Sequence, residues 1–225
     1  MKKLIVAIDG PSGAGKSTLS KSLARQLGYL NLDTGAMYRC VALQAQRRHV
    51  DPQDHAALAE LCSELEIEFA RDDLGERILL NGEDVSALIR TPEISLLTAK
   101  VAACPEVRTA LVELQRKLAE GGGVVLEGRD IGTVVFPHAE VKFFLSATAE
   151  ERGQRRYREL TERGEPVDLQ QTIAEVIARD EEDTRRTHAP LRQAEDAVVI
   201  DSTALSIDEV LGEMLGTIEQ RTRTD

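Results

Sequence analysis

With 225 residues, 42% of them hydrophobic and 30% charged, the chain has room for one sizeable core with an inserted subdomain and is too apolar for a disordered segment. Its formal net charge of −11 repels nucleic-acid phosphates and excludes a bulk electrostatic mode of nucleic-acid binding, so any phosphate site must be local. The run Leu4 to Ile8, interrupted by Asp9, is too short for a leader or a membrane span, which makes a cytoplasmic protein the expectation.

In chain order, "KLIVAID" (3–9) reads as a buried strand, and "KSTLSKSLARQLG" as a helix with Leu19, Leu23 and Leu27 on one face and a stop at Gly28. The stretch 36–103 is mostly helical in pattern, with Pro92 after Thr91 as a helix start. "LEIEFA" (65–70) and "RILLNGEDV" (77–85) alternate as a small hairpin or sheet joined through Asp72 to Glu76. Cys40, Cys62 and Cys104 are odd in number with no close pairing, as expected of reduced packing residues. "VVLE" (124–127), "VKFFLSA" (141–147) and "AVVID" (197–201) read as further buried strands, whose lack of polar alternation suits a parallel sheet covered on both faces. Thr148 with Glu151, and Ser206 with Glu209, have the spacing of reciprocal helix caps. The fold expected is a doubly wound α/β core of the P-loop type.

"GPSGAGKST" (10–18) lies between the first strand and the first helix and fits G-x-x-x-x-G-K-[ST]. Backbone amides of Gly10, Pro11, Ser12, Gly13, Ala14 and Gly15 are expected to form a phosphate nest, Pro11 contributing only its carbonyl. Lys16 would reach the β and γ oxygens, Ser17 would ligate Mg²⁺, and Thr18 would follow in the first helical turn. A regulatory GTPase would need a Lys-x-Asp base-reading motif, which the chain lacks, and "DDLG" (72–75) falls in the predicted hairpin as a surface turn. What remains is a small-molecule kinase.

Three stretches suggest a second anion site. "LDTGAMYR" (32–39) ends a short strand at Asp33, uses Thr34 as helix cap and carries Arg39 about a turn and a half later. "EGRDIGTVVFP" (127–137) puts Glu127 at a strand end, with Arg129 and Asp130 in a Gly-flanked loop at the sheet's ligand-binding edge. "RDEEDTRRTHAPL" (179–191) places Arg179, Asp183 and Arg186 on one helical face, where they serve either a ligand or an ion-pair ladder. In "EERGQRRYREL" (150–160), Arg155 and Arg156 are preferred to Arg152 and Arg158 as functional arginines, against the alternative of a solvated helix with Glu-Arg pairs. His49, His55, His138 and His188 have no spacing that suggests metal binding or a catalytic triad, and read as surface or loop residues.

"GPSGAGKST", "LDTGAMYR", "EGRDIGTVVFP" and "RDEEDTRRTHAPL…A.DAVVIDST", in this order and at these separations from about residue 4 to 215, closely resemble the bacterial cytidylate kinases of the nucleoside monophosphate kinase superfamily. The resemblance implies a five-stranded parallel core made of 1–35, 104–150 and 189–225, an enlarged monophosphate-binding insertion at 36–103, and an arginine-bearing lid with its adjoining helix at 151–188. It implies ATP as phosphate donor with Mg²⁺ on Ser17, Glu127 acting through water, and CMP or dCMP as acceptor in a monomer. By motif position Asp33, Thr34, Arg39, Arg129 and Arg186 would lie at the acceptor phosphate and sugar. Arg179 and Asp183 would take the ribose hydroxyls, Arg108 and Asp130 the cytosine edge, and Arg155 and Arg156 the ATP phosphates. Lys16, Arg129, Arg186 and Arg156 would be the catalytic set. Cytosine offers an amino donor to a carboxylate and ring acceptors to an arginine, so the base assignment is chemically matched. Ala99 departs from the Ser many relatives carry, and Glu127 replaces an Asp found in some. A kinase for UMP or another monophosphate, and a nucleotide-dependent switch, stay open at this point.

Overall fold

A computed structural model describes residues 3–72, 75–186 and 189–224. Its first elements are β1 (Ile5–Asp9), α1 (Lys16–Leu27), β2 (Leu30–Asp33), α2 (Thr34–Arg47), α3 (His55–Ser63), β3 (Ile67–Asp72), β4 (Gly75–Leu80) and β5 (Glu83–Asp84). There follow α4 (Pro92–Val101), α5 (Pro105–Leu118), β6 (Val124–Gly128), β7 (Val141–Ser146), α6 (Ala149–Glu162), α7 (Leu169–Arg185), β8 (Val198–Asp201) and α8 (Ile207–Thr224), with a π-helical turn at Ile131–Val135. Two compact units result. One holds the residues through Asn31 and from Gly121 onward; the other is Leu32–Glu120, which contains the expected 36–103 insertion and also α5.

The large sheet has the order β2-β6-β1-β7-β8, with β1 parallel to β6 and β7, and β7 parallel to β8. Val6, Ala7 and Ile8 of the central strand are wholly buried, as an interior parallel strand requires. Leu19, Leu23 and Ala24 of α1 and Met214 and Ile218 of α8 pack into the same apolar cluster as β1 and β7. Gly28 ends α1 in the left-handed region at φ 67°, its N–H closing on the Ala24 and Arg25 carbonyls. One sequence expectation needs correcting: β8 is an edge strand with Val199 50% exposed, so its apolar run is covered on one face only. Register positions the site. Ile8 lies beside Glu127 and Asp9 beside Gly128, so the loops that follow β1 and β6 leave the sheet at the same level.

In the second unit α2, α3, α4 and α5 share an apolar cluster with a three-stranded sheet of order β3-β4-β5. β3 and β4 pair antiparallel as expected, while the turn residues Asp73 and Leu74 lie outside the described residues. "RILLNGEDV" is not one strand. Asn81 (φ 51°) and Gly82 (φ 81°) turn the chain back so that Leu79 and Leu80 face Asp84 and Glu83, the outcome expected of Asn-Gly between strands. Thr91 caps α4 through its hydroxyl, with Pro92 as first helical residue. At α2 the cap is Asp33, whose Oδ1 accepts the Ala36 N–H at 2.9 Å; Thr34, expected to cap, is the first helical residue. A carboxylate accepts more strongly than a hydroxyl, and Asp33 already has extended backbone.

Candidate active site

The loop 10–18 runs from the end of β1 to the N-terminus of α1. A side chain at Gly10 would meet the Leu145 carbonyl oxygen at 2.1 Å, and Gly15 sits at φ 89°, so the backbone takes a path that only glycine permits at both ends. Lys16 is buried, with Nζ donating to the Pro11 carbonyl at 2.6 Å. Burial, followed by the nearby Arg129 charge, pushes its ammonium down to about 7. Ser17 and Thr18 are exposed, and Ser17 Oγ donates to Glu127 Oε2 at 2.9 Å. A hydroxyl and a buried carboxylate side by side form a hard-oxygen donor pair, chemically suited to Mg²⁺.

From β6 the chain passes through Arg129 and Asp130 into the π-helical turn. Asp9 anchors that passage: Oδ1 accepts the Ile131 N–H at 2.8 Å and Oδ2 the Gly132 N–H at 2.7 Å. Burial outweighs these bonds and raises the Asp9 carboxyl to about 6. Asp130 is buried at the head of the turn, with its backbone carbonyl accepting from Val134 and Val135. Arg129 Nε donates to Asp183 Oδ2 at 2.7 Å, and Arg186 pairs with Asp183 Oδ1 at 2.5 Å. Asp183 is 2% exposed; burial would raise its carboxyl, but the charges of Arg129, Arg186 and Arg179 prevail and hold it below the ordinary range. This is neither a surface ladder nor a single helical face, because Arg186 stands just past the end of α7. The structure thus brings Arg129, Asp183 and Arg186 together on one buried carboxylate.

Of the α6 arginines, Arg152, ranked with Arg158 below Arg155 and Arg156, is the one that is buried. Arg152 is buried, donating to the Ala147 carbonyl at 2.9 Å and the Ser12 carbonyl of the phosphate loop at 3.0 Å, and pairing with Asp180 of α7 at 2.5 Å. Arg155 bonds Ser202 through Oγ at 3.1 Å and the carbonyl at 2.6 Å, while Arg156 makes an exposed pair with Glu159 at 3.0 Å. Ser202 was missed: buried past β8, its single hydroxyl proton can go to the Ser146 carbonyl at 3.1 Å or the Ala14 carbonyl at 3.3 Å, which links the loop to the edge strand. Thr148 accepts the Glu151 N–H, but the Glu151 side chain turns to Arg155 and Arg158 instead of completing the reciprocal cap.

In the second unit Asp33 and Thr34 are buried where β2 meets α2, and Arg39 lies on that helix. Arg90 approaches Asp33 Oδ2 at 3.9 Å. Arg108 of α5 is buried, its guanidinium 5.6 Å from the centre of the Tyr38 ring. Ala99 is on α4. Among the described residues, no histidine hydrogen-bonds into the phosphate-loop cluster; His188 lies outside them, and His55, read as a surface or loop residue, faces Glu106 at 3.3 Å.

A P-loop leaving a central parallel strand, with a hydroxyl-carboxylate pair beside it and two arginines held on one buried aspartate, defines a phosphotransferase of the P-loop kinase class. Solved P-loop kinases share the fold: a shikimate kinase from Bacteroides thetaiotaomicron superposes with a TM-score of 0.50 at 15% identity, over 96% of this chain and 98% of that one. A gluconokinase from Sinorhizobium meliloti does so with a TM-score of 0.50 at 13% identity, over 99% and 96%. The family profile described as cytidylate kinase matches residues 6–220. The cytidylate kinase of Syntrophotalea carbinolica is 64% identical over 98% of this chain and 94% of its own length, and that of Geobacter sulfurreducens 60% identical over 98% and 94%. The chain belongs to the cytidylate kinase family.

Proposed function

We propose that this chain transfers the γ-phosphate of ATP to CMP or dCMP, giving ADP and CDP or dCDP. The observation that carries the proposal is the pair of anion-ready ends within one unit: the phosphate loop with Lys16 and Ser17, and Arg129 with Arg186 gathered on Asp183. A phosphate monoester with a second pKa near 6 is largely a dianion at neutral pH, so the acceptor needs no general base. Catalysis is then a matter of bringing two polyanions into line and neutralising them. Lys16 exchanges the Pro11 carbonyl for the β and γ oxygens of ATP, and the amides at the start of α1 hold the β-phosphate. Ser17, with Glu127 behind it, would hold Mg²⁺, which when bound neutralises charge on the triphosphate. Arg129 and Arg186 are kept aligned by Asp183 until the acceptor phosphate takes its place as their anion. Arg152 fixes the loop through Ser12, and Arg155 and Arg156 belong to a lid over the donor phosphates. Arg39 and Thr34 serve the acceptor phosphate, Arg179 and Asp183 the ribose, and Arg108 and Asp130 the cytosine. The enzyme works as a cytoplasmic monomer on free nucleotides; no helix among the described residues is long and apolar enough to cross a membrane.

ADP formation from Mg-ATP with CMP, dCMP, UMP, AMP and dTMP in turn tests this. Turnover confined to CMP and dCMP supports the assignment. Preference for another base overturns the base-reading residues, and ADP formed without any acceptor overturns the transfer itself.

A further inference from the structure

The geometry points to a second metal site in the 32–120 unit, taking a borderline divalent ion, Zn²⁺ foremost, on His55, Cys104 and Glu106. His55 is the first residue of α3; Cys104 is the N-cap of α5 and Glu106 lies in that helix's first turn. Their ligand atoms lie within 4.8 Å of one another, His55 Nδ1 standing 3.3 Å and Cys104 Sγ 3.1 Å from Glu106 Oε2. Tetrahedral zinc, with ligands at about 2.0–2.3 Å, sets its neighbouring ligand atoms roughly 3.3–3.6 Å apart. The two separations to Glu106 are already close to that spacing, and the third, between His55 and Cys104, is within 4.8 Å, so a small rotation of the exposed side chains brings all three onto one ion.

The scaffold beneath them is a buried apolar cluster. Leu58 and Leu61 of α3 and Val107 and Leu111 of α5 are buried in one apolar cluster, which fixes the spacing of the two helix starts. Cys104 is buried to 1% exposure, while the side chains of His55 and Glu106 are about half exposed, so the thiol forms the floor of a site open to solvent on one side. That leaves an entry path and a fourth position for water. Thiol, imidazole and carboxylate select zinc-like ions over Mg²⁺, which takes oxygen ligands, so the site would not compete for the ion at Ser17 and Glu127. Binding releases the Cys104 proton to solvent and ties the start of α3 to the start of α5.

Co²⁺ titrated into the full chain under a non-thiol reductant provides the test, since a thiolate ligand gives a near-ultraviolet charge-transfer band absent from all-oxygen sites. One equivalent should develop the band and Zn²⁺ should abolish it. Cys104→Ser should remove the band, and His55→Gln and Glu106→Gln should weaken Co²⁺ binding by about tenfold or more. Cys62→Ala should leave it intact, although the Cys62 thiol lies close enough to Cys104 for their charges to interact. His55→Gln and Glu106→Gln alter exposed side chains and so keep the fold, and turnover in Mg²⁺ should be unchanged in both. Absence of the band in the unaltered chain, its survival in Cys104→Ser, its loss in Cys62→Ala, or full affinity in both His55→Gln and Glu106→Gln would each overturn the site.

Discussion

The two units differ in how much charge they bury. Around the phosphate loop, Asp9, Lys16, Glu127, Arg152 and Asp183 are all buried, and each has a specific partner within hydrogen-bond distance. In the 32–120 unit the buried polar side chains among the described residues are Asp33, Thr34, Arg108 and Gln115, set beside an extensive apolar cluster. Burying an ion costs several kcal/mol unless it is paired, so the first unit holds its charges in place before any nucleotide arrives. Of the second unit's buried charges, Asp33 caps α2 and Arg108 lies against the Tyr38 ring, a guanidinium and an aromatic face suited to a flat, neutral base. Damage to the charges that face the transferring phosphoryl group, Lys16 and Arg129, should therefore appear in kcat, and damage to the base-side Arg108 in KM.

The largest effect is expected from Arg129→Ala. It removes a charge aimed at the transferring phosphoryl group, and kcat should fall by about 10³. Asp183 keeps Arg186 as a partner, so the stability loss should be smaller than the roughly 3–5 kcal/mol of stranding a buried carboxylate. Steady-state rates and thermal melts of the same preparation separate the two. A folded variant with an unchanged rate would remove Arg129 from the acceptor site.

Arg108→Ala probes the other side of the comparison. Here KM for CMP should rise by about tenfold while kcat stays within about twofold, as for a residue that binds ground and transition states alike. An equal loss in kcat would mean that Arg108 acts on the phosphoryl group and that the contrast between phosphoryl-side and base-side charges is misdrawn.

Much of this was legible in the sequence, and the omissions share a cause. The phosphate loop, the apolar runs of β1, β6 and β7 and the caps at Thr91 and Ser206 are local signals, carried by neighbours within four residues. Asn81-Gly82 was a local signal too, overlooked because the residues around it alternate like one strand. β8 reads as buried because an apolar run does not encode how many faces of its sheet position are covered. Arg152 is indistinguishable from Arg155, Arg156 and Arg158 until α7 brings Asp180 and the loop brings the Ser12 carbonyl. Likewise His55 and Cys104 are 49 positions apart, and only the packing of α3 on α5 makes them neighbours. Pairings across the fold, not residue types, are what the sequence withheld.

The smallest effect is also the sharpest test of how the loop holds its charge. Burial lowers Lys16 to about 7, so between pH 7 and its ordinary value of 10.5 the unfolded chain binds a proton that the folded one does not. Stability from this group therefore rises with pH across that window. A triphosphate in the loop reverses the balance by favouring the ammonium, and Mg-ATP binding at pH 8 should take up a proton, approaching one per site. Calorimetric titration in two buffers of different ionisation enthalpy measures that uptake, and Lys16→Met should abolish it. Arg129 is the second cause of the shift, so Arg129→Ala should let Lys16 keep more of its proton in the free protein and shrink the uptake. An uptake of zero in the unaltered chain would mean that the ammonium is already charged against the Pro11 carbonyl, and that the loop waits for nucleotide with its positive charge fully formed.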